Sequence, residues 1–382
     1  MAASDQLSRY MDYLKLDPNN FNLIKEAANS AYELGRYEEA INLSLKGAEL
    51  HPEDNGMQNH LALCYLSSGK WSDASDIFQR LVNEGENSPE LRYNLAFCLA
   101  LEDKHREALL LLPDAEDHYL SIPAMAHLKV RALHYIAEID EAIALGERLL
   151  ILNPEDAVLH GLLSTLYIDS EDFEQSKIHA EQAIALGSNL KNIDAISSLG
   201  TIALSDQDDN KATEYFDKAL QLQPKNGRAW LGLGMANMLK NDLNSAEKNF
   251  EHALIHMPEH LGTWQILTWC QLAKNELVKA ENTLNKSLLI DHNFAESHGV
   301  LAIIQLIKGQ TDLANESVQR ALKLDPQSFS GLYAKSLILQ HAGKTDASEK
   351  LMQNILDAPL GGNQNSLRSV LIKNVAAKSS IH

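Results

Sequence analysis

The sequence predicts an all-α protein built from tandem pairs of antiparallel helices, and three regularities support this prediction. Prolines recur at one spacing, since Pro18 and Pro52 are 34 residues apart, as are Pro224 and Pro258. A column of small residues recurs at the same spacing. Glycines recur at the point where the two helices of a unit would be joined. Sequence regularities with a fixed period of roughly 20–50 residues indicate an array of stacked structural repeats and not a single globular core.

Ten units align when each begins just after the proline-bearing corner. They start at Phe21, Asn55, Pro89, Pro123, Ala157, Ile193, Gly227, Leu261, Ala295 and Phe329. The twentieth residue of a unit is always Ala or Ser: Ala40, Ala74, Ala108, Ala142, Ser176, Ala212, Ala246, Ala280, Ala314 and Ser348. Small residues let two helices pack closely, and a proline after the second helix stops it and fixes the turn into the next unit.

The units resemble the tetratricopeptide repeat family over all ten repeats. Repeat 7 carries the W-x2-L-G pattern in Trp230–Gly234, and Ala253 with Pro258 closes that unit. The resemblance implies a right-handed superhelical solenoid in which the first helices line a concave groove. It also implies that this groove holds a peptide segment of a partner protein. Because one fold hosts many functions, the resemblance leaves the biology open.

The repeat frame divides the chain into three parts. Residues 1–20 are predicted to form a lone helix equivalent to half a repeat, residues 21–360 the ten repeats, and residues 361–382 a capping helix and tail. Terminal repeats need such polar-faced caps for solubility. Two irregularities are expected to change the pitch locally: Pro113 inside the second helix of repeat 3, and two extra residues within 187–192, which are a candidate junction.

The composition narrows the class of protein. The net charge of -19 argues against nucleic acid as a partner, because phosphate binding needs a basic surface. No apolar run approaches the roughly 20 residues of a membrane span, so the sequence predicts a cytoplasmic protein, with a leader removed before residue 1 left open. The hydrophobic fraction of 45% is enough for a substantial core.

Two glycine motifs resemble nucleotide-binding loops without matching them. The "AGKTD" stretch, residues 342–346, has Ile338 where a phosphate-binding loop needs its first glycine, and it follows a predicted helix instead of a strand. The "GLGMAN" stretch of repeat 7 lacks the third glycine of a dinucleotide fingerprint. The sequence therefore predicts no nucleotide cofactor.

The cysteines and histidines also favour structural roles. Cys64, Cys98 and Cys270 all occupy the tenth position of their units, which is a small apolar core position elsewhere. His252, His256 and His260 have a metal-compatible spacing, but His260 lies beyond Pro258 and so off the helix. We predict no metal, no cofactor and no catalytic residues, and hence a non-enzymatic protein.

Helical geometry predicts which side chains line the groove. A helix advances by about 100° per residue, so positions 2, 5, 9, 12 and 13 of a first helix lie opposite its core side. In repeats 3 and 4 these positions carry an aromatic and cationic group: Tyr93, Phe97, Leu101, His127, Arg131, His134 and Tyr135. In repeats 7–10 they carry an apolar group: Leu231, Met235, Met238, Trp269, Leu272, Ile303, Ile307, Tyr333 and Leu337.

A large exposed apolar patch usually marks a binding site, so we predict that an apolar peptide or helix of a partner lies along repeats 7–10. The alternative is that neighbouring repeats cover these side chains themselves. Repeat 4 is predicted to contact an acidic group. The carboxylate clamp of co-chaperones in this family is matched only by Lys25 and Asn29, and Glu90 stands where the clamp needs a cation.

Three other functions stay open at this point. They are a secretion or assembly chaperone for a hydrophobic client, a peptide-responsive regulator, and a scaffold that self-associates, for example as a homodimer. The sequence does not name the partner.

Overall fold

The computed structural model describes residues 3–112, 118–187 and 192–358. Within these ranges all regular secondary structure is α-helical, which confirms the predicted fold class. The contacts divide the chain into two compact units, Met1–Glu155 and Asp156–His382. No helix in the described ranges is long and apolar enough to cross a membrane.

The first unit contains a lone helix followed by four helix pairs. Its helices are α1 (Ala3–Leu16), α2 (Phe21–Glu33), α3 (Tyr37–Leu50), α4 (Asn55–Ser67), α5 (Trp71–Asn83), α6 (Pro89–Leu101), α7 (His105–Leu110), α8 (Pro123–Tyr135) and α9 (Ile139–Leu152). Leu7 and Leu14 of α1 are buried in the same apolar cluster as Ile24 and Ala28 of α2.

The second unit contains the remaining six pairs. Its helices are α10 (Ala157–Asp169), α11 (Phe173–Leu186), α12 (Ile193–Ser205), α13 (Asp209–Leu222), α14 (Gly227–Leu239), α15 (Leu243–His256), α16 (Leu261–Ala273), α17 (Leu277–Ile290), α18 (Ala295–Ile307), α19 (Thr311–Leu324), α20 (Phe329–His341) and α21 (Thr345–Asp357). In both units the first helix of each repeat begins at the residue where the sequence frame begins the repeat.

The column of small residues lies where the two helices of a repeat meet. Every residue at the twentieth position is buried. Ser176 and Ser348, which replace alanine in two repeats, each donate a hydrogen bond of 2.8 Å across the pair, to the carbonyl oxygens of Ser164 and Ser336. The serine hydroxyls are therefore satisfied inside the core, as buried polar groups must be.

All ten repeats turn between their two helices through one backbone conformation. The fifteenth residue has a φ between +60° and +80° in every repeat. In each case the amide of the next residue donates to the carbonyl oxygen five residues earlier, as Lys104 does to Leu99, which is the bond of a Schellman motif. Only four of these residues are glycine; the other six are Asp103, Ala137, Glu171, Gln207, Asn241 and Asn275.

Three sequence predictions fall on parts of the chain outside the described residues. They are the kink at Pro113, most of the irregular segment 187–192, and the capping helix within 361–382. Helix α7 ends at Leu110, so the described second helix of repeat 3 has 6 residues. The division between the two compact units falls after Glu155, earlier in the chain than the predicted junction at 187–192.

Candidate functional site

The first unit has two adjoining cavities at repeats 3 and 4. One, of about 290 Å³, lies between α6 and α8 and is lined by Phe97, Ala100, Leu101, Asp103, His105, Leu128, Arg131, Ala132 and Tyr135. The other, of about 380 Å³, opens at the α6–α7 corner and is lined by Asp103, Lys104, His105, Arg106, Glu107, Tyr135 and Ile136. Four of the residues predicted for the groove therefore line one concavity.

A stacked pair of rings forms the boundary between the two cavities. The imidazole of His105 and the ring of Tyr135 are parallel to within 3°, with centroids 4.4 Å apart. Tyr135 is 66% exposed, whereas the side chain of His105 is mostly buried. Tyr135 therefore presents its free face to solvent from a position fixed by His105.

His105 is neutral at ordinary pH because burial lowers its pKa, although the nearby Asp103 carboxylate acts in the opposite direction. Its Nε2 lies 3.7 Å from Oδ1 of Asp103. Its Nδ1 has no hydrogen-bond partner among the described residues. The sequence prediction missed His105, because it lies at the start of a second helix and the prediction considered only first helices.

The remaining predicted residues of repeats 3 and 4 surround this cavity. Tyr93 stacks on Phe97 with centroids 6.0 Å apart, and burial raises the pKa of the Tyr93 phenol. His134 contacts the ring of Tyr135. Arg131, like His127 and His134, has interactions of its own within the chain, so its guanidinium is not a free cation. These residues form a mixed aromatic and polar surface, and the contact of repeat 4 with an acidic group stays a prediction.

The apolar residues predicted in repeats 7–10 lie in the second unit, and most of them pack against their own repeats. Leu231 and Met238 are half-buried against a cluster that contains Phe250 and Leu267. Leu272 and Trp269 pack on the cluster of repeats 8 and 9, and Tyr333 and Leu337 on that of repeats 9 and 10. Of the nine predicted residues, Met235 at 37% and Ile307 at 59% are exposed.

Ile303 requires a correction. It was predicted to face the groove, but only 5% of it is exposed and it packs against Val318 and Ala334. We therefore remove Ile303 from the candidate surface. The alternative in which neighbouring repeats cover the apolar side chains accounts for this part of the molecule.

First helices two repeats apart also make direct side-chain contacts in this unit. The ring of Trp269 in α16 lies 6.4 Å from that of Phe329 and 6.0 Å from that of Tyr333, both in α20. Gln265 Nε2 also donates to Ser330 Oγ at 2.9 Å across the same gap. Side chains of the first helices of repeats 8 and 10 are therefore in contact with each other, although the first helix of repeat 9, α18, lies between these repeats in the chain.

A glycine permits the close approach of the adjacent first helices α18 and α20. A Cβ atom on Gly299 of α18 would lie 2.4 Å from the backbone nitrogen of Gly331 and from the carbonyl carbon of Ser330. No side chain fits there without moving a helix, so Gly299 brings α18 and α20 together. This glycine was the available sequence signal for the covered surface.

The remaining candidate groups have structural roles. Gly234 packs against the ring of Phe250, which a Cβ atom would approach to 2.4 Å. His252 stacks on Trp230 at 4.6 Å, and His260 caps α16 by accepting from the amide of Thr263. The described residues contain no group of three His, Cys, Asp or Glu side chains placed to hold a metal ion.

A buried ionic network joins α15, α16 and α17. Glu247 is 6% exposed, its carboxylate pairs with Lys274, and it accepts from Gln271 Nε2 at 3.0 Å. Gln271 in turn accepts from Thr283 Oγ1 at 2.8 Å. Burial alone would raise the pKa of Glu247, but the bonds from Lys274 and Gln271 and the charge of Lys279 outweigh it and lower the pKa. The network is internally satisfied, so it is a structural feature.

Comparisons with known proteins agree with this architecture. Family models described as tetratricopeptide repeat match residues 25–91 and 197–255 in one case and 237–304 in another. No curated protein matches the chain by sequence. Among solved structures, an IFIT1 monomeric mutant with Gppp-AAAA is 15% identical, with a TM-score of 0.59 over 92% of this chain and 94% of that one.

The human IFIT1 dimer with m7Gppp-AAAA is 14% identical, with a TM-score of 0.57 over 92% of this chain and 93% of that one. At these identities the likeness concerns the fold alone. The matched ranges contain tetratricopeptide repeats, and the ten helix pairs extend the same architecture through the described residues.

Proposed function

We propose that this protein is a non-enzymatic scaffold that holds an apolar segment of a partner protein, and that the cavity between α6 and α8 is its main anchor point. Tetratricopeptide repeats are protein-interaction modules, which supports the general role. The observation that carries the specific proposal is the exposed ring of Tyr135 beside a preformed cavity whose far wall is Phe97 and Leu101.

Several features of this cavity are those of an interaction hot spot. Such sites are enriched in aromatic residues and Arg, and they combine an apolar pocket with a few placed polar groups. The stacking of Tyr135 on His105 holds the exposed ring in place before binding, which reduces the ordering cost of association. A partner side chain covered here would contribute roughly 1.5–3 kcal/mol before those costs.

A second contact is proposed on repeats 7–10, within the other compact unit. Met235 and Ile307 remain exposed on the first helices there, and Phe329 is 43% exposed beside Trp269. Methionine adapts to varied apolar surfaces, which suits a partner segment with an apolar stripe. Because most of the neighbouring apolar side chains are already covered, we assign this contact a smaller share of the binding energy.

The charge of the chain bears on which class of partner is proposed. The two IFIT1 structures hold that protein together with Gppp-AAAA and with m7Gppp-AAAA. A net charge of -19 gives the present chain no surplus of basic surface, and phosphate contacts supply most of the affinity in nucleic-acid binding. We therefore propose a protein partner in preference to RNA.

The test is quantitative co-purification of partner proteins with wild-type and altered full-length chains. Tyr135→Ala is expected to weaken capture by about 2 kcal/mol, or roughly thirtyfold in affinity, because it removes the exposed wall of the cavity. Tyr13→Ala is the matched control, since Tyr13 is a 54% exposed tyrosine of α1 in the same compact unit.

Far-UV circular dichroism should show equal helicity for the two variants. If Tyr135→Ala co-purifies the same partner proteins in the same amounts as the wild type, the cavity is ruled out as the anchor. Loss of partners in a Met235→Asp and Ile307→Asp double variant, with none lost in Tyr135→Ala, would move the main contact to repeats 7–10. Capture of the chain's own copies alone would favour the self-associating scaffold.

A further inference from the structure

The lining of the cavity between α6 and α8 is specific enough to indicate what it binds. We propose that it receives a single aromatic side chain that carries a hydrogen-bond donor, a tyrosine or a tryptophan of the partner, and that Asp103 accepts that hydrogen bond. This inference rests on the proposed function, because it names the chemical class that the anchor cavity selects.

The size of the cavity limits the guest to one side chain. A volume of about 290 Å³ lies at the lower end of the range of small-ligand pockets, which is roughly 300–1,000 Å³. It suits one large side chain and not a longer segment of a partner. The guest is therefore a single residue that projects from a partner segment lying outside the cavity.

The walls favour an aromatic guest. Phe97 and Leu101 lie on the α6 side, and the stacked rings of Tyr135 and His105 lie on the other. Aromatic rings prefer offset-stacked or edge-to-face neighbours, and such pairs contribute beyond the area they bury. A ring inserted here continues the existing stack and covers apolar surface on both walls.

The lining carries charged groups of both signs. Asp103 and Arg131 line the same cavity, so neither sign of charge is in excess there. The Lys104 ammonium is bonded to Glu102 at 2.7 Å. A neutral guest matches this lack of a charge surplus.

Asp103 supplies the polar specificity. Its side chain is 95% exposed at the mouth shared by both cavities, and the left-handed backbone of Asp103 places it at the corner between α6 and α7. An ionised carboxylate only accepts hydrogen bonds, so it pairs with the O–H of tyrosine or the N–H of tryptophan. Phenylalanine lacks such a donor, so the carboxylate of Asp103 would receive no hydrogen bond from it.

The experiment selects peptides from a random display library on the wild-type full-length chain, with counter-selection against Tyr135→Ala and Tyr13→Ala as the control. We expect tyrosine or tryptophan to be enriched at one position, and the enrichment to persist on Tyr13→Ala. A synthetic copy of the selected peptide with its tyrosine replaced by phenylalanine should bind the wild type roughly two- to tenfold more weakly. On Asp103→Ala the two peptides should bind equally.

Enrichment of any other residue class, an absence of enrichment, or equal binding of both peptides to the wild type would overturn the inference. Its failure is distinguishable from that of the proposed function. If captured partners depend on Tyr135 but no aromatic donor is selected, the anchor stands and its specificity is wrong. If selected peptides depend on Tyr135 and Asp103 while captured proteins do not, the specificity stands and the anchor role is wrong.

Discussion

Replacing Gly299 with alanine should separate α18 from α20 and destabilise the second unit. The added Cβ atom would lie 2.4 Å from backbone atoms of Ser330 and Gly331, whereas carbon atoms pack best at about 3.5–4.0 Å. The helices must therefore move apart by about 1 Å. Overpacking of this kind costs about 1–3 kcal/mol, and a glycine-to-alanine change in a helix returns up to about 1 kcal/mol.

The same movement strains the contacts that cross above α18. The hydrogen bond from Gln265 to Ser330 contributes about 1 kcal/mol, and each aromatic contact of Trp269 about 0.5–1.5 kcal/mol. With partial loss of these contacts, we expect a net destabilisation of about 2 kcal/mol. The melting temperature should fall by a few degrees, and amide exchange in α18 and α20 should become faster.

Gly262→Ala is the matched control, because Gly262 is an exposed residue in the first turn of α16 whose nearest neighbour is the side chain of His260. It should leave stability unchanged or raise it slightly. If Gly299→Ala unfolds within about 0.5 kcal/mol of the wild type and its α18 amides exchange at the wild-type rate, the close approach of these two helices is refuted.

Three further predictions follow from burial and charge. Ile303→Ala should lower the free energy of unfolding by about 2–4 kcal/mol because Ile303 is buried. Ile307→Ala should change it by less than about 0.5 kcal/mol because Ile307 is exposed. Equal effects of the two changes in chemical denaturation would contradict the corrected position of Ile303. The thiols of Cys64, Cys98 and Cys270, whose pKa values burial raises to about 11, about 12 and about 11, should not react with Ellman's reagent at about pH 8 until the chain unfolds, and any rapid native reaction would show an accessible thiol. The folded pKa of Glu247 lies below its ordinary value of 4.5, so the stability that this carboxylate contributes is complete above about pH 4.5 and is lost as the pH falls through the lower folded value. The melting temperature of Glu247→Gln should therefore decrease less steeply on acidification than that of the wild type. Parallel curves would exclude this carboxylate as a source of acid sensitivity.

The repeat frame could be predicted residue by residue because its cause is local. Ala40 and its equivalents recur since two helices of one repeat cannot pack closely around a larger side chain, and this requirement is the same in every unit. The ten helix starts could be predicted for the same reason. The two helices of a repeat contact each other through positions that the helical period determines.

The candidate site could be predicted only in part, because it depends on how successive repeats meet. Phe97, Leu101, Arg131 and Tyr135 lie at equivalent positions of adjacent first helices and line one cavity in the structure, and their role in binding stays a prediction. Ile303 occupies such a position as well, but the approach of α18 to α20 buries it. That approach depends on Gly299 and on a contact spanning two repeats, which the period of a single helix does not describe.

His105 shows a second limit. It lies in a second helix, so a rule that considered only first helices did not include it. In the structure it supports Tyr135 from beneath and lines both cavities. A prediction of this role would have required the side-chain direction at the start of α7.

The left-handed corners between paired helices are sites where the chain can be stabilised. Six of the ten corners hold a residue with a Cβ atom in a conformation that costs an L-residue roughly 1–2 kcal/mol and costs glycine little. Asp103 lines the candidate cavity, but the other five corner residues are not part of its lining. Glycine also raises the entropy of the unfolded chain, which offsets part of this gain. A change such as Gln207→Gly would therefore raise the free energy of unfolding by about 0.5 kcal/mol. Gains at separate corners add, so replacing several of them is a direct engineering route to a thermostable form of the scaffold.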